Sequence, residues 1–296
     1  MNISLFGPLT GTVSLAALAG MMSPDALAQS HPRFSPDGRQ VAHFRFDLDA
    51  GTADILISDL VSGEAEPVQT GHAWSVNPAW TPDGETLVFA SGPAGISDVW
   101  DIYEINLGDG VVTAITDTPE REMHTQVSPD GRHLSFVRMT DGPNVWIMDR
   151  VSGAEHMIAA GPARDFHPKW DADGQNLVFD RTVDDALSVV WSASVDGGEG
   201  RQVAAGEAGQ RLAGPNYSDD GAVYAIASRE GTFSLLAFEE GREPQTVLTA
   251  QADERFGAFD IHPDGQSAVM SVTGADGQIR LFQVDLATGA RTLVFE

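Results

Sequence analysis

The chain has no cysteine among its 296 residues. This absence excludes disulfide bonds, thiolate metal sites and a cysteine nucleophile. The fold must therefore be stabilised by packing alone, which is feasible because a protein of this size buries enough apolar surface without covalent links.

Basic residues are also scarce. The sequence has 17 Lys and Arg against 43 Asp and Glu, and Lys169 is its only lysine. A net charge of −26 repels the phosphates of nucleic acid and the headgroups of anionic lipids. Neither is an expected partner, and the same repulsion between copies of the chain favours a monomer.

The first 28 residues differ in composition from the rest. Leu5 to Met22 is apolar and small, and an Ala-Leu-Ala tripeptide directly precedes Gln29. This pattern predicts a signal peptide over residues 1–28 and a periplasmic or secreted mature chain. Met1 to Ser4 carries no Lys or Arg, so a segment packed against the rest of the protein stays an alternative. Glycine and proline interrupt the short apolar stretch, so no membrane span is expected in the mature chain.

One turn motif recurs six times along the chain. In four copies proline presets φ, and in all six aspartate can bond its own backbone and glycine takes the left-handed conformation that closes a hairpin. The glycines are 46, 47, 43, 47 and 44 residues apart, a spacing typical of propeller blades. The six copies are Ser35–Gly38, Thr81–Gly84, Ser128–Gly131, Asp171–Gly174, Ser218–Gly221 and His262–Gly265.

Apolar side chains alternate along the segment that follows each turn, as at Leu87 and Phe89 or Leu134 and Phe136. Alternation with a period of two predicts half-buried strands. A second glycine turn later in each repeat separates a third strand from a fourth. The sequence therefore predicts an all-β, six-bladed propeller over residues 29–296, with four antiparallel strands per blade. The blades begin near residues 31, 77, 124, 167, 214 and 258.

The repeat is similar to that of the TolB-like propellers, a family with WD40-like P-D-G repeats. Pro78–Gly84 and Asn144–Asp149 are the copies nearest to the family pattern, and the resemblance covers all six repeats. It implies the propeller fold but leaves the function open, since relatives include periplasmic scaffolds, domains that gate peptidases and sugar-acid lyases. The sequence lacks the G-x-S-x-G motif of the hydrolase domain that prolyl-peptidase relatives append.

Three histidines share one position of the repeat. The resemblance implies that the strand before each turn is innermost, so residues at its start face the central channel. Neutral imidazoles at one channel position could bind zinc, manganese or iron, as in the oligogalacturonate lyases, which hold a metal on a related propeller. The alternative is an ordinary polar position, because blades one and three are not neighbours. Seven residues before the turn glycines lie His31, Asn77, His124, His167, Gly214 and Ala258.

Four arginines share a second position, ten residues before the turn glycine. At a channel mouth they could form a positive collar that binds carboxylate or phosphate. Alternatively, each arginine pairs with an adjacent acid, such as Glu122, Asp165 or Glu254, and only anchors a loop. Trp74 is expected to be exposed at the mouth. The members of this position are Ala28, Trp74, Arg121, Arg164, Arg211 and Arg255.

Two functions are compatible with these patterns. In the first, the protein is a scaffold that binds a protein partner or a small anion at the channel mouth, through the four arginines, Asn77 and Trp74, and needs no cofactor. In the second, it is a metal-dependent lyase or hydrolase on acidic carbohydrate, with His31, His124 and His167 as ligands of a divalent ion.

Overall fold

The computed structural model describes residues 31–295, apart from 48–49, 93–98, 160, 162, 185–186, 199 and 219. The predicted signal peptide, its cleavage point and Ala28 lie outside the described residues. Within this range the chain forms 24 strands and no helix. Accordingly, no helix of the described part has the length and apolar character that crossing a membrane requires.

The strands occur in six sets of four along the chain. The first strands of the sets precede the P-D-G turns, and they are β1 (Arg33–Phe34), β5 (Trp74–Trp80), β9 (Arg121–Val127), β13 (Arg164–Trp170), β17 (Arg211–Tyr217) and β21 (Arg255–Ile261). The second strands follow the turns, and they are β2 (Gln40–Asp47), β6 (Thr86–Gly92), β10 (His133–Met139), β14 (Asn176–Asp184), β18 (Val223–Arg229) and β22 (Ser267–Thr273).

The third and fourth strands complete each set. The third strands are β3 (Thr52–Asp59), β7 (Asp101–Asn106), β11 (Pro143–Asp149), β15 (Leu187–Ser194), β19 (Thr232–Phe238) and β23 (Ile279–Asp285). The fourth strands are shorter, and they are β4 (Ala65–Pro67), β8 (Val112–Ala114), β12 (Glu155–Met157), β16 (Arg201–Ala204), β20 (Gln245–Thr249) and β24 (Arg291–Phe295).

Hydrogen bonding joins the described strands into five sheets instead of the six that the repeat predicts. The last four sets each form a separate four-stranded antiparallel sheet. The first two sets form one eight-stranded sheet, because a single parallel pair, Ala53 with Trp74, links β3 to β5. The last sheet contains only β21 to β24, so β24 completes it.

The P-D-G turns have the geometry that their residues predict. In the first turn the amide of Gly38 donates to the carbonyl of Ser35 at 2.8 Å, and Gly38 has φ of 73°. The Asp37 carboxylate accepts from the Ser35 hydroxyl at 2.7 Å and from the amide of Arg39 at 3.1 Å. A left-handed φ suits glycine because it has no β-carbon, and the glycine of every copy has this conformation.

Apolar clusters lie between successive sets. Buried Val88 of the second set packs with Leu134 and Phe136 of the third, for example. The first and last sets meet in the same way, since Phe34 and Val41 pack with Val269 and Leu281. Packing that runs from each set to the next and returns to the first is that of a closed ring. The predicted all-β propeller class is therefore confirmed.

Candidate functional site

The position seven residues before the turn glycine, here called the first tier, has an unusual backbone. The φ values of His31, Asn77, His124, His167 and Gly214 lie between 40° and 57°. In the second to sixth sets, the register of the first strand shifts at this position, which marks a β-bulge. Left-handed φ is strained for residues other than glycine, and bulges re-aim side chains beside functional sites. The bulges therefore turn the first-tier side chains towards a common centre.

The three histidines of the first tier lie together. The ring centroid of His31 is 5.0 Å from that of His124 and 5.7 Å from that of His167, and the rings of His124 and His167 are 4.4 Å apart. One nitrogen of each ring lies within 4.8 Å of those of the other two. Because the centre of the ring is narrow, residues of non-neighbouring sets meet there. His31, His124 and His167 can therefore share a site although the first and third sets are not neighbours.

Hydrogen bonds support two of these histidines. The Nδ1 atom of His167 lies 2.7 Å from Oδ1 of Asp180, which also accepts from the amide of Gly214 at 3.1 Å. The amide of His124 donates to Oδ1 of Asn77 at 3.4 Å. A carboxylate behind Nδ1 fixes the proton on that atom and leaves Nε2 of His167 as the free ligand atom. Asn77 is buried, so it positions His124 instead of lining an open mouth.

Burial favours the neutral form of His31 and His124. It lowers the pKa of His31 well below the usual value, and the neighbouring His124, His167, Arg33 and Lys169 lower it further. The pKa of His124 is lowered in the same way, first by burial and then by His167 and Arg33. Nδ1 of His124 is buried and has no hydrogen-bond partner among the described residues. Neutral imidazoles are the form that binds a metal ion.

A second ring of polar residues, here called the second tier, lies five residues before each turn glycine. Its members were not predicted as site residues. Nζ of Lys169 contacts Oδ1 of Asp260 at 2.5 Å, and the amide of Phe34 donates to Oδ2 of Asp260 at 2.9 Å. Burial and the nearby Arg33 lower the pKa of Lys169 to about 8, although Asp260 opposes this change. The members of the tier are Arg33, Ala79, Gln126, Lys169, Asn216 and Asp260.

The four arginines predicted as a collar, here called the arginine position, begin the first strands of four sets. Arg164, Arg211 and Arg255 are exposed, and Arg121 is half-buried above the ring of Trp100 at 5.4 Å. Trp74 was predicted to be exposed at the same position, and this was wrong. Its exposed fraction is 2%, because it packs against Phe46 and Trp100 at ring distances of 5.6 and 6.3 Å.

The adjacent acids were expected, in the alternative interpretation, to pair with these arginines. Each of these acids forms an ion pair with an arginine from elsewhere in the chain. The pairs are Glu122 with Arg138 at 2.6 Å, Asp165 with Arg181 at 2.7 Å and Glu254 with Arg291 at 2.8 Å. Successive side chains of a strand point to opposite faces of the sheet. Glu122 and Asp165 are fully buried on the face turned away from the neighbouring arginine, where guanidinium groups of second strands reach them.

The donor set of the histidine cluster fits a divalent transition metal. Imidazole nitrogens are common ligands of zinc, manganese and iron. A tetrahedral ion with bonds of about 2.0 Å needs nitrogens roughly 3.3 Å apart. The ligand nitrogens of the three histidines lie within 4.8 Å of one another, and an ion would have to draw them closer to reach this spacing.

Comparisons with known proteins found one family and one relative that match part of the sequence. Residues 22–143 match the family described as the TolB beta propeller domain. A region of 102 residues is 32% identical to the uncharacterized peptidase YuxL of Bacillus subtilis (strain 168). This region is 34% of the chain but only 15% of that relative, so the chain spans far less than the relative's length.

The chain also shares its fold with solved structures. A protein assigned as TolB from Agrobacterium tumefaciens has a TM-score of 0.67 at 20% identity, over 82% of this chain and 88% of that one. An oligogalacturonate lyase in complex with manganese has a TM-score of 0.62 at 14% identity, over 88% of this chain and 74% of that one. At these identities, the likeness shows the propeller fold alone.

Proposed function

We propose that this TolB-like β-propeller is a binding protein whose channel holds a divalent transition-metal ion on His31, His124 and His167. The observation that supports this most strongly is that three imidazoles from three different strand sets meet within 4.8 Å of one another. Three protein ligands leave a further coordination position for another molecule, which is the arrangement of zinc sites that bind or activate a ligand.

The surroundings of the histidines support the same proposal. Asp180 would hold the ring of His167 in the orientation and tautomer that a metal needs, and Asn77 would hold the backbone of His124. The left-handed backbone at all three histidines is strained, and strain of this kind is frequent at ligand sites. An ion in this position would act as a Lewis acid and attract an anionic ligand.

The proposed place of action is the periplasm or the cell exterior, with the mature chain beginning at Gln29. The apolar stretch and the Ala-Leu-Ala tripeptide of the sequence support export. A protein partner would contact the channel mouth, where the arginine position offers local positive charge on an otherwise negative monomer. N-terminal sequencing of the protein from its native host tests the cleavage site, and retention of Met1 would contradict it.

The ring is proposed to consist of six blades, one for each strand set. The single pair Ala53 with Trp74 is the hydrogen-bonded link that merges the first two sets. At this link the amide of Ala53 donates to the carbonyl of Ala73 at 3.0 Å. A crystal structure tests the proposal, and seven sets or an open ring would contradict it.

The metal proposal is tested by equilibrium binding of Zn²⁺, Mn²⁺ and Fe²⁺ to the purified full chain. One of these ions should bind with a stoichiometry near one, and His124→Ala should weaken its binding at least ~100-fold through loss of a ligand. His156→Ala is the matched control, because His156 is exposed and contacts only the carbonyl of Val195 among the described residues. No binding, or equal binding by both variants, would contradict the proposal.

A second candidate function is a metal-dependent lyase or hydrolase on acidic carbohydrate. The likeness in fold to an oligogalacturonate lyase solved with manganese, together with the histidine cluster, favours it. The metal-loaded chain should then cleave oligogalacturonate, with unsaturated product from a lyase or reducing ends from a hydrolase, and His124→Ala should abolish cleavage. Metal binding without cleavage would leave the binding function alone.

A further inference from the structure

We propose that Arg33 and Lys169 form an anion subsite beside the three histidines, which takes the carboxylate of a small ligand bound to the metal ion. Arg33 and Lys169 follow His31 and His167 by two residues, and the charges of both cations act on His31. The inference rests on the proposed metal site, and it adds the chemical class of the ligand and the residues that bind it.

Arg33 has an incomplete set of partners for a buried cation. Its exposed fraction is 9%. Its Nη1 atom donates to the carbonyl of Pro32 at 2.8 Å, but its Nε atom has no partner among the described residues. A buried charged donor without an acceptor costs free energy, so such a donor indicates a ligand. The charge of Arg33 acts on His31, His124 and Lys169, which places it beside the cluster.

The nearest acid, Asp260, does not accept a hydrogen bond from the guanidinium of Arg33. Both oxygens of Asp260 are engaged, Oδ1 by Lys169 and Oδ2 by the amide of Phe34. Among the described residues, no carboxylate lies within ion-pair distance of the Arg33 guanidinium. Asp180, the other buried acid of the site, is engaged by His167 and Gly214.

The balance of charge favours an anion once the metal is bound. The two cations of the second tier, Arg33 and Lys169, are offset by two acids, Asp260 of the same tier and Asp180 behind His167. A divalent ion on the histidines would therefore leave an excess of positive charge in a buried site. Buried charge of one sign is costly unless a counter-charge accompanies it.

The burial of the site and the geometry of the Arg33 guanidinium favour a small carboxylate. A guanidinium donates in a fixed planar geometry that matches a carboxylate, and carboxylate oxygens also bind transition metals. His31 and Arg33 are 4% and 9% exposed, so a large polymer cannot lie flat against them. One carboxylate could therefore bind the metal through one oxygen and Arg33 through the other.

The test loads the full chain with Co²⁺, whose visible absorption changes when a new ligand enters its coordination sphere. Acetate and malonate are then titrated into wild type, Arg33→Gln and the matched control Arg164→Gln. We expect both anions to change the spectrum of the wild type, with Arg33→Gln weakening their affinity at least ~10-fold and Arg164→Gln by less than ~2-fold. Co²⁺ affinity should be retained in both variants.

The outcomes separate this inference from the metal proposal. If Co²⁺ does not bind wild type, the metal site fails and the anion subsite falls with it. If Co²⁺ binds but neither anion changes the spectrum, or both variants respond like wild type, only the anion subsite is contradicted. Should Arg33→Gln fail to fold, Arg33→Lys keeps the charge but removes Nε, and it is expected to show the same loss of anion affinity.

Discussion

The first tier and the arginine position differ in depth, although each is defined by one position of the same repeat. Three residues separate them along each strand. The first tier is placed at a β-bulge, and its histidines converge at the centre of the ring with their nitrogens within 4.8 Å. Arginines at the arginine position are exposed or half-buried at the start of the strands. Residues at the same position of each repeat therefore form a compact site only where the backbone turns their side chains towards the centre of the ring.

This difference has an electrostatic consequence. Charges of the second tier, which lies next to the histidines, are desolvated, whereas exposed arginines remain hydrated and are screened by salt. We therefore expect substitutions in the channel to alter stability and metal binding strongly, and substitutions at the arginine position to have small effects.

The largest effect is expected for Asp260→Asn. This variant leaves Lys169 buried without its counter-charge, which should lower the free energy of unfolding by about 3–5 kcal/mol. Asp276→Asn is the matched control, because Asp276 pairs with Arg280 at the surface and is 49% exposed, and pairs of this kind contribute little to stability. Chemical denaturation measures both values. An equal loss of unfolding free energy in the two variants would contradict the distinction between channel charges and surface charges.

The next effect concerns His43, a half-buried histidine outside both regions that forms a hydrogen bond with Ser58 at 2.9 Å. Burial, with a smaller contribution from Arg45, lowers its pKa to about 4. The unfolded chain then binds the proton first as the pH falls below about 6.5, so stability decreases between about pH 6.5 and pH 4. The decrease from this group should be roughly 2 kcal/mol between pH 7 and pH 5.

The measurement compares the pH dependence of unfolding in wild type and His43→Gln. The slope should be smaller in the variant, while its metal affinity should equal that of wild type, because burial alone does not make a ligand site. An unchanged slope would contradict the assigned pKa. Lost metal binding by folded His43→Gln would mean that the metal site is not confined to the first tier.

A smaller effect is expected for Asp180→Ala. Loss of the carboxylate behind His167 should weaken metal binding about 10–100-fold, since the ring is no longer held in one tautomer and orientation. Arg164→Ala should change it less than ~2-fold, because the charge of Arg164 is exposed. Competition with a chromophoric chelator measures the affinities. An Asp180→Ala protein with wild-type affinity would show that His167 needs no support or is not a ligand.

The smallest effect is expected when Arg164→Ala and Arg211→Ala are combined. Exposed arginines should guide an anion to the channel without holding it, so malonate affinity of the metal-loaded chain should change less than ~3-fold, with a weaker salt dependence of the association rate. Stopped-flow binding at two salt concentrations tests this. A loss as large as that of Arg33→Gln would place the anion site at the arginine position.

Much of the fold could be predicted from the sequence, because the turn chemistry of Pro, Asp and Gly is local. The same register also brought His31, His124 and His167 to one position of the repeat. The parallel pair of Ala53 and Trp74, which merges two sheets, could not be predicted, because it depends on the relative placement of two strand sets and not on any turn.

The residues around the histidines were missed for a similar reason. Asp180 lies in a second strand, and Asp260 reaches Lys169 across a distance of 91 residues in sequence. A signal was present nonetheless: the position two residues after the histidines holds Arg33, the only lysine Lys169, and Asp260. Trp74 was misassigned because its position in the repeat does not reveal the neighbouring Phe46 and Trp100 that cover it.

The most direct test of the central claim is a crystal structure of the metal-replete chain with anomalous data at the absorption edge of the bound metal. We predict a single strong anomalous peak at the centre of the ring, within about 2.0–2.3 Å of nitrogens of His31, His124 and His167. A peak elsewhere, or none at this position after metal-replete crystallisation, would contradict the account.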